Sequence, residues 1–374
     1  MVNAKNFLLL ISLFSFLHSW AQSHKLFLVA GQSNAVGVGN ADSSTICIPA
    51  TCFEYISTAD SIRPLKDPVG YSATNEDFQA AVTGSAWPAF ASTYYQLTGD
   101  TVIIVQAAKG GTSCTAAADA GAGNWSSAYH LFTQAAAKAK RAETFTGQQL
   151  SGIIWLQGES DAMGINSNKI SVCQYEDALI DLIQRFRNAF RCNLPFYIIQ
   201  TGLYTQKYDS AFSIVRKIQQ HVADEDSLTF IADSAAITYR ALGWMNADHI
   251  HLDQRALNNT GANAAQNIVY IEHHSNLDSC YATPLPIVTA PDWDVFPSPF
   301  GDELQLEIRN CNCADIDLQI TDMMGRTVYK TKQNILTLSQ PRLYIPTASF
   351  HKGTYIVRAL LNNEWRLNRK VVKD

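Results

Sequence analysis

Lys25-Leu26-Phe27-Leu28-Val29-Ala30-Gly31-Gln32-Ser33-Asn34 decides how this chain is read. An apolar run of strand type halts at a glycine, with a serine two residues on. Such a run reads as a buried, parallel strand. In parallel sheets, ligands bind beyond the carboxyl ends of the strands, which is where Ser33 would sit. Gly31 permits a tight turn there, because it takes backbone angles that other residues avoid. A serine on that turn either lifts its hydroxyl out of the fold, as a nucleophile needs, or caps the helix that follows.

Four more runs of strand type follow: Thr101-Val102-Ile103-Ile104-Val105, Gly152-Ile153-Ile154-Trp155-Leu156, Phe196-Tyr197-Ile198-Ile199 and Leu228-Thr229-Phe230-Ile231. Helical patterns lie between them. From Tyr175 to Phe190 the residues Tyr175, Leu179, Leu182, Ile183, Phe186 and Phe190 recur at helical spacing, and Ala128 to Arg141 is alanine-rich. Alternating strands and helices predict an α/β domain with a parallel sheet covered on both faces. The expected strand order is 2-1-3-4-5.

The 374-residue chain has room for two or three domains. Residues 1–21 read as an export signal: Lys5, an apolar stretch from Phe7 to Leu17, then Ser19-Trp20-Ala21 as a cleavage site. That stretch is short for a membrane span and no later run rivals it, so an exported chain without a span is expected. A net charge of −5 leaves no footprint for nucleic acid or an anionic membrane. Export permits disulfides, and there are eight cysteines. Cys47 and Cys52 are spaced to close a small loop, and Cys173 and Cys192 to brace the ends of a helix. Cys311 and Cys313 are too close for an easy mutual bridge, and Cys114 and Cys280 have no evident partner.

Five of the twelve prolines fall between Pro284 and Pro299, which marks a linker over 283–298. Residues 22–282 then form the α/β domain. Beyond the linker the pattern turns to strands, with alternation over Glu303–Ile308, Asp317–Ile320 and Thr354–Leu361 and turns at Met324-Gly325-Arg326 and Asn362-Asn363. A small antiparallel β-sandwich over 299–374 is expected. Its last strand carries Arg366, Arg369, Lys370 and Lys373, read as a solvated face.

A serine nucleophile needs a base, and the base needs an orienting group. Asp248-His249-Ile250-His251 follows the last predicted strand. On a turn, Asp248 can reach Nδ1 of His251 and leave Nε2 to face Ser33, while His249 points away. Surface histidines on a loop are the alternative, and so is a metal site built on Asp248, His249 and His251. Acyl transfer also needs donors for the developing oxyanion. Gly110 and Gly111, after the second strand, offer backbone amides, and Gln157, after the third, offers a side-chain N–H. Ser33, Gly110, Gln157 and His251 all follow predicted strands, so all open onto one edge of the sheet.

These stretches together (Gly31-Gln32-Ser33-Asn34, Gly110-Gly111-Thr112-Ser113, Trp155-Leu156-Gln157-Gly158-Glu159-Ser160-Asp161 and Asp248-x-x-His251-Leu252) resemble the successive blocks of the SGNH hydrolase superfamily. Within it they look like the branch of sialate O-acetylesterases and acetyl-xylan esterases. The resemblance implies a flavodoxin-like α/β/α sandwich and a serine esterase without metal or other cofactor. It makes Ser33 the nucleophile, His251 the base and Asp248 its orienter. The Ser33 amide, an amide at Gly110 or Gly111 and a side chain of the third block would form the oxyanion hole. The superfamily's third block usually reads Gly-x-Asn-Asp, whereas this chain has Ser160 at the asparagine position. Gln157 is the candidate replacement, and Glu159 would orient the active-site loops.

Phe296-Pro297-Ser298-Pro299-Phe300-Gly301-Asp302-Glu303-Leu304, Asp322-Met323-Met324-Gly325-Arg326 and Gly353-Thr354-Tyr355-Ile356-Val357 resemble the C-terminal sorting domain of the type IX secretion system of Bacteroidetes. The implied partner is that machinery, and the implied destination is the cell surface or the exterior. A carbohydrate-binding sandwich is the competing reading, though Tyr355 and Trp365 make a sparse aromatic platform. The expectation is a secreted carbohydrate O-acetylesterase, with a non-catalytic carbohydrate-binding protein on the same fold as the alternative.

Overall fold

The structure, a computed structural model, describes residues 24–70, 77–204, 209–278, 292–309, 313–336, 342–361 and 364–374. The expected export signal, Cys280, Cys311 and the Asn362-Asn363 turn lie outside the described residues.

The apolar run that opens the reading is strand β1 (His24–Gly31), the middle of a seven-stranded sheet. Its Leu26, Leu28 and Ala30 face one side and Phe27 and Val29 the other, all fully buried, as the period of two requires. The turn after β1 enters a four-residue helix, α1 (Ser33–Val36). Strand β4 (Thr101–Ala108) runs parallel on one flank of β1 and β5 (Leu150–Leu156) on the other, followed by β6 (Phe196–Ile199) and β7 (Thr229–Asp233). Those five strands stand in the predicted order 2-1-3-4-5.

The edge beyond β4 carries two strands that the periodicity missed, β2 (Cys52–Ile56), parallel to β4, and β3 (Ser61–Pro64), antiparallel to β2. Glu54 interrupts the apolar pattern of β2. Its buried carboxylate is satisfied by Arg63 of β3 at 2.7 Å and by the Gly70 amide at 2.6 Å. A paired buried charge is compatible with a strand, but no sequence pattern announces the pairing.

Helices α3 (Leu131–Thr146), α5 (Val172–Ala189) and α6 (Asp209–Glu225) cover one face of the sheet. Helices α2 (Trp87–Thr98) and α7 (Gln254–His274) cover the other. Short α4 (Glu159–Asn166) follows β5. The α5 stripe of Tyr175, Leu179, Leu182, Ile183 and Phe186 is buried as its spacing predicts, and a capping box of Ser171 and Gln174 starts the helix. Among the described residues no helix is long and apolar enough to cross a membrane.

Two cysteine expectations need correction. Cys173 and Cys192 are each disulfide-bonded, but they stand at opposite ends of α5. A helix of that length spans about 27 Å, far beyond the ~7 Å Cα reach of a disulfide, so they do not bridge each other. Cys47 and Cys52 lie side by side as free thiols and do not close a loop. Cys114 is free and buried.

The strands of the C-terminal part pair antiparallel, with one isolated parallel bridge between Phe300 and Lys373 among the described residues. Strands β8 (Asp292–Phe296), β9 (Glu303–Arg309) and β12 (Arg342–Pro346) form one sheet, ordered β12-β9-β8. Strands β10 (Cys313–Asp322), β11 (Thr327–Leu336), β13 (Gly353–Leu361) and β14 (Glu364–Lys373) form the second, ordered β11-β10-β13-β14. Leu304, Leu306 and Ile308 pack against Ile316, Leu318, Ile320 and Val357 between the sheets. Strand β8 lies inside the stretch read as linker, so regular structure starts before residue 299. The last strand is not uniformly solvated: Arg369 and Lys370 are exposed, but Lys373 is buried and donates to the Gly301 carbonyl at 2.5 Å.

Candidate active site

The register of the sheet sets the site. Gly31 of β1 pairs with Ala108 of β4 and with Leu156 of β5, so the three strands end level. Two residues beyond those ends stand Ser33, Gly110 and Gly158. Gly31 has φ +138°, and a Cβ there would stand 2.0 Å from the Leu156 carbonyl oxygen. Only glycine fits where β1 turns so close to β5. Trp87 supports the turn from beneath by donating its Nε1 to the Ala35 carbonyl at 2.8 Å.

His251 reaches Ser33 from the loop before α7. That loop is drawn together by the Asn246 amide bonding the His251 carbonyl at 2.8 Å and by a bridge between Met245 and Leu252. Asp248 Oδ1 accepts from the amides of Ile250 and His251, an Asx turn that fixes the carboxylate. Asp248 Oδ2 stands 2.7 Å from His251 Nδ1, and His251 Nε2 stands 2.8 Å from Ser33 Oγ. Partial burial works against the Asp248 charge, but the bonds from the His251 ring and the two amides prevail, holding its carboxyl below the usual range. His249 takes φ +60°, and its amide donates to Asn246. Among the described residues no group of three or more His, Cys, Asp or Glu is placed to hold a metal, so Asp248, His249 and His251 do not converge as ligands.

The third block is built differently from the expectation. Gln157 is fully buried, and its Nε2 donates to Asp161 at 2.6 Å and to Gln32 and the Thr112 carbonyl at 3.3 Å. Its N–H groups are spent inside the protein and do not face Ser33. Ser160 donates its hydroxyl to the Gly111 carbonyl at 3.0 Å. Asp161 accepts from the Cys114 and Thr115 amides and the Thr115 hydroxyl, tying the loop after β4 to the start of α4. This block therefore acts as scaffold. The backbone donors remain. The Ser33 N–H has no hydrogen-bond partner among the described residues. A Cβ on Gly110 would stand 3.6 Å from Ser33 Cβ, so the loop after β4 passes directly over the serine.

Glu159 lies where a loop organiser should. It is buried, and its Oε1 accepts from Asn34 Nδ2 at 2.7 Å. Burial pushes its carboxyl up, against the bond from Asn34 and the attraction of His251. Asn34 in turn accepts the Leu252 amide at 3.1 Å, so one buried side chain links the serine turn, α4 and the histidine loop. Sequence reasoning passed over Asn34 and Gln32, although both flank Ser33. Gln32 Oε1 accepts from the amides of Gly158 and Ser160. Their position beside a candidate nucleophile was the available signal. Gln79 was also missed and had no local signal: its Oε1 accepts the Gly110 amide at 2.8 Å from a distant segment.

A cleft of about 290 Å³ borders the serine, lined by Ser33, Val36, Val38, Gln79, Ala80 and Val82. A larger, polar cleft of about 790 Å³ lies at the opposite ends of the strands, among His24, Lys25, Leu150, Arg191 and Pro195, away from this chemistry.

Residues 23–270 match the family model described as carbohydrate esterase, sialic acid-specific acetylesterase. Residues 294–374 match that of the secretion system C-terminal sorting domain. No curated protein matches the chain. Among solved structures, a protein from Arabidopsis thaliana is 18% identical over 66% of this chain and 98% of its own, with a TM-score of 0.51. A carbohydrate acetylesterase from Xanthomonas citri is 17% identical over 92% of this chain and 78% of its own, with a TM-score of 0.38. A surface component of the type-IX secretion system of Porphyromonas gingivalis is 18% identical over 22% of this chain and 11% of its own, with a TM-score of 0.17. At 18% identity and a TM-score of 0.51, the likeness to the Arabidopsis protein shows the fold alone.

Proposed function

The chain belongs to the carbohydrate esterases of the sialic acid-specific acetylesterase family, and from that membership we propose an exported serine esterase that removes O-acetyl groups from sugars. The observation that carries the reading is the unbroken line from Asp248 through His251 to Ser33, with both links under 3 Å. Ser33 Oγ attacks the acetyl carbonyl carbon as His251 Nε2 takes its proton, and Asp248 steadies the imidazolium through Nδ1. The Ser33 and Gly110 amides hold the oxyanion, replacing the Gln157 donor expected from sequence. Collapse breaks the bond to the sugar oxygen, which leaves with the proton from His251. Water then gives its proton to His251 and attacks the acetyl-enzyme, releasing acetate and restoring Ser33. The apolar cleft borders Ser33 but not His251, so the acyl group enters it and the sugar departs on the histidine side.

The test is acetate release by the mature protein from O-acetylated sialoglycan and from acetyl-xylan, with Ser33→Ala beside it. Release that falls at least about a thousandfold in the variant supports the mechanism. Near-normal release in the variant overturns it, and the preferred polymer names the sugar.

We infer further that the type IX secretion machinery reads the C-terminal domain as an address, which places the protein at the cell surface or outside. The support is the sorting-domain match over residues 294–374. A chain ending at residue 291 should then accumulate inside the cell envelope, and normal export of it would remove this reading.

A further inference from the structure

We propose that Gln79 gates the oxyanion donor: its side-chain carbonyl occupies the Gly110 amide and is exchanged for the acyl oxygen of the substrate. The inference rests on the esterase reading above and concerns a residue outside the four sequence blocks.

Gly110 N–H points at Gln79 Oε1, 2.8 Å away. A Cβ on Gly110 would lie 2.9 Å from that oxygen and 3.6 Å from Ser33 Cβ, so the carboxamide sits over the nucleophile. An amide carbonyl oxygen is the nearest protein counterpart of an ester carbonyl oxygen, since both are sp² acceptors with in-plane lone pairs. One N–H makes one good hydrogen bond. Gln79 and an acyl oxygen therefore compete for Gly110, and the oxyanion is held there only after Gln79 leaves.

The main chain at Gln79 is pinned. Its amide donates to the Ala108 carbonyl at 3.0 Å, and its carbonyl accepts Nε2 of the buried Gln106 at 2.8 Å. Exchange thus needs side-chain rotation alone and no loop movement. The side chain is exposed, and among the described residues its one hydrogen bond is that to Gly110, so release is easy. Gln79 also lines the apolar cleft beside Ser33, so an acyl group entering that cleft meets the carboxamide first. A binding-competent state that is only partly populated lowers apparent affinity by its own fraction, and removing the competitor returns that factor.

The test compares the whole protein with Gln79→Ala and Gln79→Glu. The alanine variant should raise kcat/KM for an acetylated substrate about three- to tenfold, through a lower KM, the span expected of one exposed hydrogen bond. The glutamate variant keeps the acceptor and sets a negative charge against the oxyanion. Its kcat/KM should fall at least about tenfold at neutral pH, and its deficit against the unmodified protein should shrink as the carboxyl is protonated. An unchanged or raised KM in Gln79→Ala, with the unmodified protein active, overturns the gate.

A second measurement does not depend on turnover. With ¹⁵N-glycine labelling, the Gly110 amide should exchange with solvent faster in Gln79→Ala than in the unmodified protein. Equal exchange rates overturn the gate. Absence of acetate release from the unmodified protein overturns the esterase reading instead, and the amide exchange then judges the contact alone.

Discussion

Asn34 donates Nδ2 to Glu159 Oε1 at 2.7 Å, across the gap between the turn after β1 and the start of α4. The other Glu159 oxygen, Oε2, is buried without a hydrogen-bond partner among the described residues, so this bond is the main compensation for a carboxyl that burial disfavours. Asn34→Ala strips that compensation and also frees the Leu252 amide beside His251. We expect a stability loss of about 1–3 kcal/mol and a fall in turnover of roughly ten- to a hundredfold. Urea unfolding and acetate release measure both. Retention of both would show that the link does not position the histidine.

Asp248 is half-exposed but bound on three sides, by the His251 ring and by two amides. Asp248→Asn keeps the shape and presents an N–H₂ where Nδ1–H should donate, which favours the wrong imidazole tautomer. Turnover should fall by about 10²- to 10⁴-fold with little change in KM. Because the bonds to the charged form depress the Asp248 value, its stabilising effect is present above the ordinary carboxylate range and is lost as pH falls through the lowered value. Acid inactivation near pH 4 and above should therefore persist in Asp248→Asn. Its disappearance would assign that loss to Asp248.

Gly31 is the residue least able to change. Gly31→Ala drives a methyl to 2.0 Å from the Leu156 carbonyl oxygen at a φ that alanine avoids. Neither strand can retreat without breaking the central sheet, so we expect a loss above about 4 kcal/mol, seen as insoluble protein. A soluble Gly31→Ala protein with normal unfolding would mean that β1 and β5 part more readily than their register suggests.

Much of this molecule was legible because its central strands are unbroken apolar runs, and the chemistry-bearing residues follow their ends. Ser33, Gly110 and His251 could be placed on one edge from topology alone. What escaped was whatever depends on a partner remote in sequence. Glu54 hides β2 because its charge is made tolerable by Arg63 and the Gly70 amide, both remote from it in sequence. Gln157 has the composition of an oxyanion donor, yet Asp161, Gln32 and Thr112 claim its N–H groups. Gln79 carries no signal at all before the fold brings it to Gly110. The Cys173–Cys192 bridge is a different failure. The helix predicted between them already sets its ends farther apart than a disulfide can span.

Glu176, buried on α5 with His221 Nε2 3.3 Å from its Oε1, makes stability depend on pH in a direction that can be worked out. Burial, with the negative charges of Asp177 and Glu225, raises its carboxyl from an ordinary 4.5 to about 7. In the unfolded chain the proton leaves near the ordinary value, whereas the folded protein keeps it until the raised one. Between the two, the folded state binds more protons, so stability declines as pH climbs and levels off above the raised value. The full decline is of order 3 kcal/mol for this one group. Glu176→Gln keeps the size and removes the titration, so the variant should match the unmodified protein near pH 4.5 and exceed it progressively toward pH 7 and beyond. Urea midpoints of both proteins at four pH values across that range supply the comparison. If the gap between them stays constant, the carboxyl is ionised on the folded protein throughout, and the His221 imidazole offsets burial more strongly than its 3.3 Å separation implies.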